Sequence, residues 1–362
     1  MQASQIPSKV PLPFANSGTK NAIPTASQIG VTAGAASLTD GFPPLTFTPI
    51  ASGGVPPAGA DFNGILNLIT AVQQWQSAGG IFKYDAAFST SIGGYPKGAI
   101  LMSSTNASTW LNMVDNNITD PDAAGANWVS LSAGRLIRTT IYTNTDGTLQ
   151  ASVDGGAFAN AGATFTPLAL TAAVEAEVQA AGGAGGGTPV TTSGQVSCGS
   201  GGGAGAYGRK RFTSGFSGAT ITVGAAGTGS AGAAGGNGGS ASFGALLSCT
   251  GGNGGAVGAS GITPAFLYNA GGGSGGTAAT APNGSIVAPG GNGSYGLYNS
   301  TPLGGAGGQS AFGPGGSNVV GTSTGGPGLS PGSGGGGAAS SVSAALAGGI
   351  GTYGLIIIKE YA

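Results

Sequence analysis

The stretch GGNGGSASFG at residues 235–244 returns in altered form as GGAGGQSAFG at residues 304–313. Between them lie GGNGGA at 251–256, GGGSGGT at 271–277 and GGNG at 290–293. Glycine loses more backbone freedom on folding than any other residue, so a folded chain that repeats it needs its small size. The repeat has a period of three, one turn of a polyproline-II-type helix. Two rows of such a helix are bare glycine, and the third carries a small side chain. The helix makes no internal hydrogen bonds, so its buried N–H and C=O groups must pair with neighbouring backbones. The strict G-X-Y run and proline content of collagen are missing. Short segments joined by loops therefore predict a bundle of polyglycine-II helices within one domain. Phe243 and Phe312, at matching places in the two copies, read as its anchors. A flexible glycine-rich linker would not repeat that pattern.

Composition supports a packed protein. The 362 residues include 78 glycines, 40% hydrophobic residues and only 6% charged ones, with a formal net charge of -1. Disorder pairs low hydrophobicity with high charge, and here the mean hydropathy is +0.21. Near-zero charge gives no general attraction to nucleic acid. The chain has no histidine, which removes Ser-His-Asp and Cys-His nucleophile pairs and His-ligated metals. Neither a metal nor a cofactor is expected. Cys198 and Cys249 could form one bridge, but buried free thiols suit a protein assembled in a reducing cytosol better. The start, MQASQIPSK, lacks the apolar core of a signal peptide. The aliphatic run LIII at 355–358 is far too short for a membrane span. Any GxGxxG here is expected by chance, and none sits in a βαβ unit.

Residues 1–60, dense in Pro, Gly, Ser and Thr, read as an extended arm that needs a surface to lie on. ADFNGILNLITAVQQWQSAGG follows as a short helix, with Asp61 as N-cap and Gly79–Gly80 as stop. Phe62, Ile65, Ile69 and Val72 also fit a and d positions, so this face is either a subunit seam or a packing face within the domain. KGAILMS, STWLNMVD and ANWVSL read as a small β-unit anchored by Trp110 and Trp128, completing residues 61–134. Asp115, Asp120 and Asp122 between those strands suit turns better than a calcium loop.

From Arg135 to Ala362 strands bracket the glycines. RLIRTTIYTN, the alternating TPLALTAAVEAEVQAA and ATITVG are strands, and YGLIIIKEYA, apolar on both faces at its centre, suits the middle of a sheet. The first and last of these can be neighbours. The fold expected is mainly β with one short helix: an arm, a small β-unit and a distal β-sandwich combined with the polyglycine-II bundle.

These segments resemble the tail fibres of tailed bacteriophages and prophages. The arm SKVPLPFANSGTKNAIPTASQIG, the run DGFPPLTFTPIASGGVPPAGADFNGILN and GGYPKGAILMS resemble their baseplate-proximal part. GRLIRTTIYTN, VEAEVQAAGGAGGG, GAYGRKRF, ITVGAAG, GGNGGSASFG and GLIIIKEY resemble their glycine-rich receptor-binding tip. The resemblance implies an elongated homotrimer in the virion, assembled in the host cytoplasm. The N-terminal arm would meet baseplate or tail proteins, and the tip a host surface glycan, lipopolysaccharide or pilus. It implies a non-enzymatic adhesin with no nucleic-acid partner. The chain departs from the family pattern at GASGITPAFLYNA, APNGSIVAPGGNGSYGLYNSTPL and GTSTGGPGLSPGS, so the receptor is not specified.

Recognition is expected in loops 258–270, 279–302 and 314–333. Their aromatics Phe266, Tyr268, Tyr295 and Tyr298 either contact sugar rings or pilin side chains, or cover the bundle end. Arg209, Lys210 and Arg211 could meet lipopolysaccharide phosphates, although a solvated turn is the better reading. Two alternatives remain: a polysaccharide depolymerase using Glu175 and Glu177, whose carboxylates would need to lie about 5–9 Å apart, and a structural cell-wall or ice-binding protein.

Overall fold

The computed structural model describes residues 7–145, 147–262, 267–269 and 271–362. It is mainly β, with several antiparallel sheets. The chain divides into two compact units, Met1–Leu131 and Ser132–Ala362, close to the change of pattern at Arg135.

In the first unit two 3-10 turns, Pro44–Phe47 and Ile50–Ser52, interrupt an otherwise irregular arm. Helix α1 (Gly59–Ser77) provides the surface on which the arm lies. The two run antiparallel, joined by polar side chains one turn apart on α1. Gln74 Nε2 donates to Pro11 O (2.6 Å) and Asn67 Nδ2 to Phe14 O (2.7 Å). Phe14 N–H donates to Thr70 Oγ1 (2.7 Å), and Asn63 Nδ2 donates to Thr19 O (2.7 Å). Asp61 does not cap the helix; Ala58 holds the N-cap position. The Asp61 carboxylate is buried, accepting from Asn21 Nδ2 (2.7 Å) and Ala36 N–H (2.9 Å). Its charge is thus used on the arm rather than on the helix's own first turn.

A second helix, α2 (Ala86–Ile92), corrects the expectation of one. Asp85 caps it through Phe88 N–H (2.9 Å), and Gly93, at φ +79°, ends it. At seven residues it is too short to show periodicity. Strands β1 (Ile100–Met102), β2 (Thr109–Asn112) and β3 (Trp128–Ser130) form an antiparallel meander. Tyr95, Leu101 and Trp128 make its core, with Trp110 packed against them. Of the aspartates, Asp120 accepts from Asp122 N–H as a turn residue does, whereas Asp115 accepts from Lys97 N–H and Asp122 from Ser104 N–H and Trp110 Nε1, tying distant parts of the β-unit together.

The second unit contains β4 (Leu136–Thr145), β5 (Thr148–Val153), β6 (Ala159–Asn160), β7 (Ala173–Gln179), β8 (Thr191–Cys198) and β9 (Tyr207–Phe212). It continues with β10 (Ile221–Thr222), β11 (Ala241–Phe243), β12 (Leu247–Cys249), β13 (Ser260–Ile262), β14 (Leu267–Asn269) and β15 (Ala278–Thr280). The remaining strands are β16 (Ile286–Ala288), β17 (Gly296–Asn299), β18 (Thr301–Leu303), β19 (Ala339–Ser343) and β20 (Leu355–Tyr361). The main sheet runs β16-β9-β7-β20-β4-β5-β6, and β20 lies antiparallel between β7 and β4. The first and last long strands therefore do pair.

A second sheet, β10-β11-β12-β15, covers the main one. Val174, Ala176, Val178, Ile356 and Ile358 face Phe165, Phe243, Leu247 and Cys249 in a shared core. This is the sandwich. The expected long strand at TPLALTAAVEAEVQAA is shorter than its alternation suggested, because Leu168 and Leu170 stay exposed in a loop. That loop is held by the buried Glu360 carboxylate, which accepts from Arg138 Nε, Leu168 N–H (2.9 Å) and Thr171 Oγ1 (2.7 Å). Phe243 is a core anchor, whereas Phe312 is half-exposed in a turn with its ring edge-on to Tyr207. The two copies diverge because only the first continues into a sandwich strand.

Immediately after β7 the chain leaves the sheet and enters the glycine bundle. Successive N–H groups of residues 180–187 donate in strict rotation to three different segments. Ala180, Gly183 and Gly186 donate to Ala206, Gly203 and Ser200. Ala181, Ala184 and Gly187 donate to Gly239, Gly236 and Ala233, and Gly182 and Gly185 to Thr352 and Gly349. Its carbonyls accept from three more segments, through Gly252 and Gly255, Gly335 and Ala338, and Gly227. Residues 199–206 repeat the arrangement. They donate to segments containing Gly335, Asn253 and Gly291, and accept from those containing Gly183, Gly273 and Gly305. Each of these two inner helices thus has six bonded neighbours, as three residues per turn dictates. A Cβ at Gly182, Gly185, Gly203 or Gly307 would lie under 3.0 Å from a neighbour's backbone carbonyl.

Candidate functional site

The connections of this bundle are the expected recognition surface, and their described residues include several short strands. Within 258–270 and 279–302 lie β13, β14, β16, β17 and β18, with β14-β17-β18 forming a small antiparallel sheet. Residues 314–333 contain further glycine-helix turns, with Gly316 N–H on Gly334 O and Gly325 N–H on Ala347 O. These strands are hard to read in the sequence because each is only three or four residues long.

The four aromatics divide. Tyr295 is 55% exposed and projects from the segment entering β17. Tyr298 is 9% exposed and packs on Val196 and Cys198, so it is a core residue rather than a contact residue. Strand alternation buries it against β8 beneath. Phe266 lies outside the described residues. Tyr268 lies on β14, opposite Leu297, with its side chain outside the description.

The basic cluster is neither a solvated turn nor one patch. Arg209, Lys210 and Arg211 lie on β9, so alternation sends Lys210 to the opposite face from its neighbours. Arg209 Nη2 pairs with Glu175 Oε2 (2.9 Å), and the Arg211 guanidinium lies 4.7 Å over the Tyr361 ring. Lys210 Nζ donates to Asn283 O. The network extends across three strands: Lys359 Nζ bonds Glu177 Oε1 (2.9 Å) and Glu175 Oε1 (3.4 Å), and Tyr207 donates to Glu177 Oε2 (2.9 Å). Burial works against ionisation of Glu175, but Arg209 and Lys359 more than offset it and hold its carboxyl below the usual range. Burial and the adjacent Glu177 raise the Tyr207 phenol. Both carboxylates named for a depolymerase are thus committed to cations and a phenol on the sheet's outer face.

Cys198 and Cys249 are both buried thiols and are not bridged to one another. Cys198 Sγ donates to Leu297 O (3.1 Å), and burial pushes the Cys249 thiol up to about 12. Among the described residues no cluster of His, Cys, Asp and Glu could hold a metal ion. No helix among them is long and apolar enough to cross a membrane. On α1, Phe62, Ile69 and Val72 are exposed and Ile65 is half-buried. Ile69 and Val72 are therefore open, whereas the Phe62 ring lies 4.7 Å from that of Phe42 in the arm.

Two features were missed in the sequence. A groove of about 460 Å³ opens between the end of β4 and the glycine segments, lined by Asn144, Thr228, Ile350, Thr352 and Tyr353. Ile350 and Tyr353 are both exposed there. The second is the use of asparagine in GGNGG. Asn237 Oδ1 accepts from Gly254 N–H and Asn292 Oδ1 from Gly275 N–H, both at 2.8 Å. Third-row amides thus cap outward N–H groups that have no further helix to bond. The signal was the repeated asparagine at the third position. No protein-family model matches the chain, and no curated protein matches it.

Proposed function

We propose that the chain is a fibre protein of a tailed phage or phage-like particle that binds a host surface receptor through its glycine-rich unit. The observation that carries this reading is the bundle: two inner helices, each bonded to six neighbours, hold short surface connections on a scaffold with little freedom to deform. Such a scaffold suits recognition, because contact residues lose little further entropy on binding. The groups that could do chemistry support the same reading, since Glu175 and Glu177 are already paired. Tyr295 and the groove beside Tyr353 are the surfaces proposed to meet the receptor. A glycan, a lipopolysaccharide or a pilus is the proposed class.

The first unit is proposed to attach the fibre to the baseplate and to assemble it as a homotrimer. Its exposed apolar residues support this: Phe47, Ile50, Phe62, Ile69 and Trp75 are all half or more open to solvent, or nearly so. The experiment is adsorption competition by the purified protein, with Tyr295→Ala and Tyr353→Ala as variants, alongside light scattering. Competition that weakens in a variant with an unchanged melting temperature is expected, as is a trimer mass that Ile69→Asp lowers. Full competition by the double variant would move the receptor site elsewhere, and a monomer mass for the parent protein would end the trimer reading.

A further inference from the structure

The chain contains five Asn-Gly pairs, at Asn63, Asn237, Asn253, Asn283 and Asn292. Such pairs deamidate when the glycine nitrogen reaches the asparagine side-chain carbon. Four of the five have that nitrogen engaged. Gly64 is buried within the ladder of α1. Gly238 N–H donates to Gly252 O and Gly293 N–H to Gly273 O, both at 2.9 Å. Gly254 N–H donates to Asn237 Oδ1.

Asn283 differs. It sits in an exposed β-turn closed by Ser285 N–H on Pro282 O (3.0 Å), with Gly284 at φ +81°. That geometry is a type II turn, whose central N–H points outward. Gly284 N–H has no partner among the described residues. The Lys210 ammonium bonds the Asn283 carbonyl and holds a positive charge beside the reacting peptide.

We propose that Asn283 is a modification site at which the folded protein deamidates while its other Asn-Gly pairs persist. The Gly284 nitrogen gives its proton to water or hydroxide and attacks Cγ of Asn283. The Cγ–Nδ2 bond breaks, ammonia leaves, and a succinimide forms. Water then adds to one of the two imide carbonyls and breaks its C–N bond, yielding aspartate or isoaspartate. No oxidant or reductant is needed. The product adds one negative charge beside Lys210, on a connection of the glycine bundle, to a chain whose net charge is -1.

The test is ageing of the full-length protein in warm, mildly alkaline buffer, folded and in urea. It is followed by peptide mass mapping and enzymatic isoaspartate labelling. In the folded protein Asn283 should convert at least about tenfold faster than Asn237, Asn253 or Asn292, because their glycine nitrogens must first break a hydrogen bond. In urea those four should converge, and Asn283→Gln should remove the isoaspartate signal from the folded protein. Conversion of the bundle sites at the same rate as Asn283 in the folded protein would overturn the proposal. So would an isoaspartate signal that survives Asn283→Gln.

Discussion

Adding one methyl group to an inner glycine helix tests the bundle directly. Gly203 donates to Asn253 O (2.8 Å) and accepts from Gly183 N–H (2.9 Å). A Cβ there would fall under 3.0 Å from Ser274 O and Gly273 O, which are backbone atoms unable to rotate away. The segment around Ser274 must therefore move outward. Its Gly273 and Gly276 N–H groups, which bond Gly201 O and Ala204 O, move with it. Overpacking costs about 1–3 kcal/mol, and each buried backbone group left unpaired costs about 1–3 kcal/mol. One lost bond plus strain gives about 3 kcal/mol for Gly203→Ala. For a unit of this size that corresponds to a fall in Tm of roughly 6–12 °C. Differential scanning calorimetry of the second unit's transition is the assay. Ala204 shows that the position itself decides, since its methyl group is fully buried in the same helix. Gln309→Ala, in an exposed third row, should leave Tm nearly unchanged. A Gly203→Ala protein melting within about a degree of the parent would refute the close-approach argument.

Three further outcomes follow from other parts of the molecule. The depressed Glu175 carboxyl contributes stability that is fully present above the ordinary glutamate value and lost as pH falls through its folded one. Lys359, whose ammonium is raised mainly by its bond to Glu177, contributes below the ordinary lysine value and loses it as pH rises through its folded one. Glu175→Gln should therefore flatten the acid limb of a Tm–pH curve; an unchanged limb would assign acid sensitivity to other carboxylates. Tyr298→Ala should cost about 3 kcal/mol by opening a cavity against Val196 and Cys198, which urea melts would measure, and parent-like melting would mean the site is not packed. Asp61→Ala removes the acceptor for Asn21 and Ala36, and hydrogen bonds to charged groups contribute about 1.5–3 kcal/mol each. Limited proteolysis should then cut the arm before the helix, and equal resistance in both proteins would show that Gln74, Thr70, Asn67 and Asn63 suffice.

The glycine bundle was legible because its rule is steric: three residues per turn and two bare rows leave a period that survives in the sequence. The middle position of β20 was legible for a similar reason, since a strand buried on both faces needs apolar residues on both. What could not be read was set by partners far away in the chain. Asp61 carries every local mark of an N-cap, yet an arm residue forty positions earlier claims its carboxylate. Tyr298 and Tyr295 look alike in sequence, and only the strand beneath β17 makes one of them core. The charges on β9 form no patch because Arg209 meets Glu175 of β7 and Arg211 the Tyr361 ring of β20, strands whose register is invisible locally.

The six-fold bonding of residues 180–187 also dictates the order in which the second unit can be completed. That helix is made early, yet its partners extend to Thr352, and β20 must then enter the slot between β7 and β4. During synthesis the innermost backbone therefore waits, solvated and unpaired, while more than half of its neighbours are still to be translated. Loop closure over such separations is slow, and contacts this non-local place the unit among late, slow folders. Unfolding must break the same mutual arrangement, so the barrier is high in both directions. For an arrangement of this kind, lifetime is set by the rate of unfolding as well as by equilibrium stability.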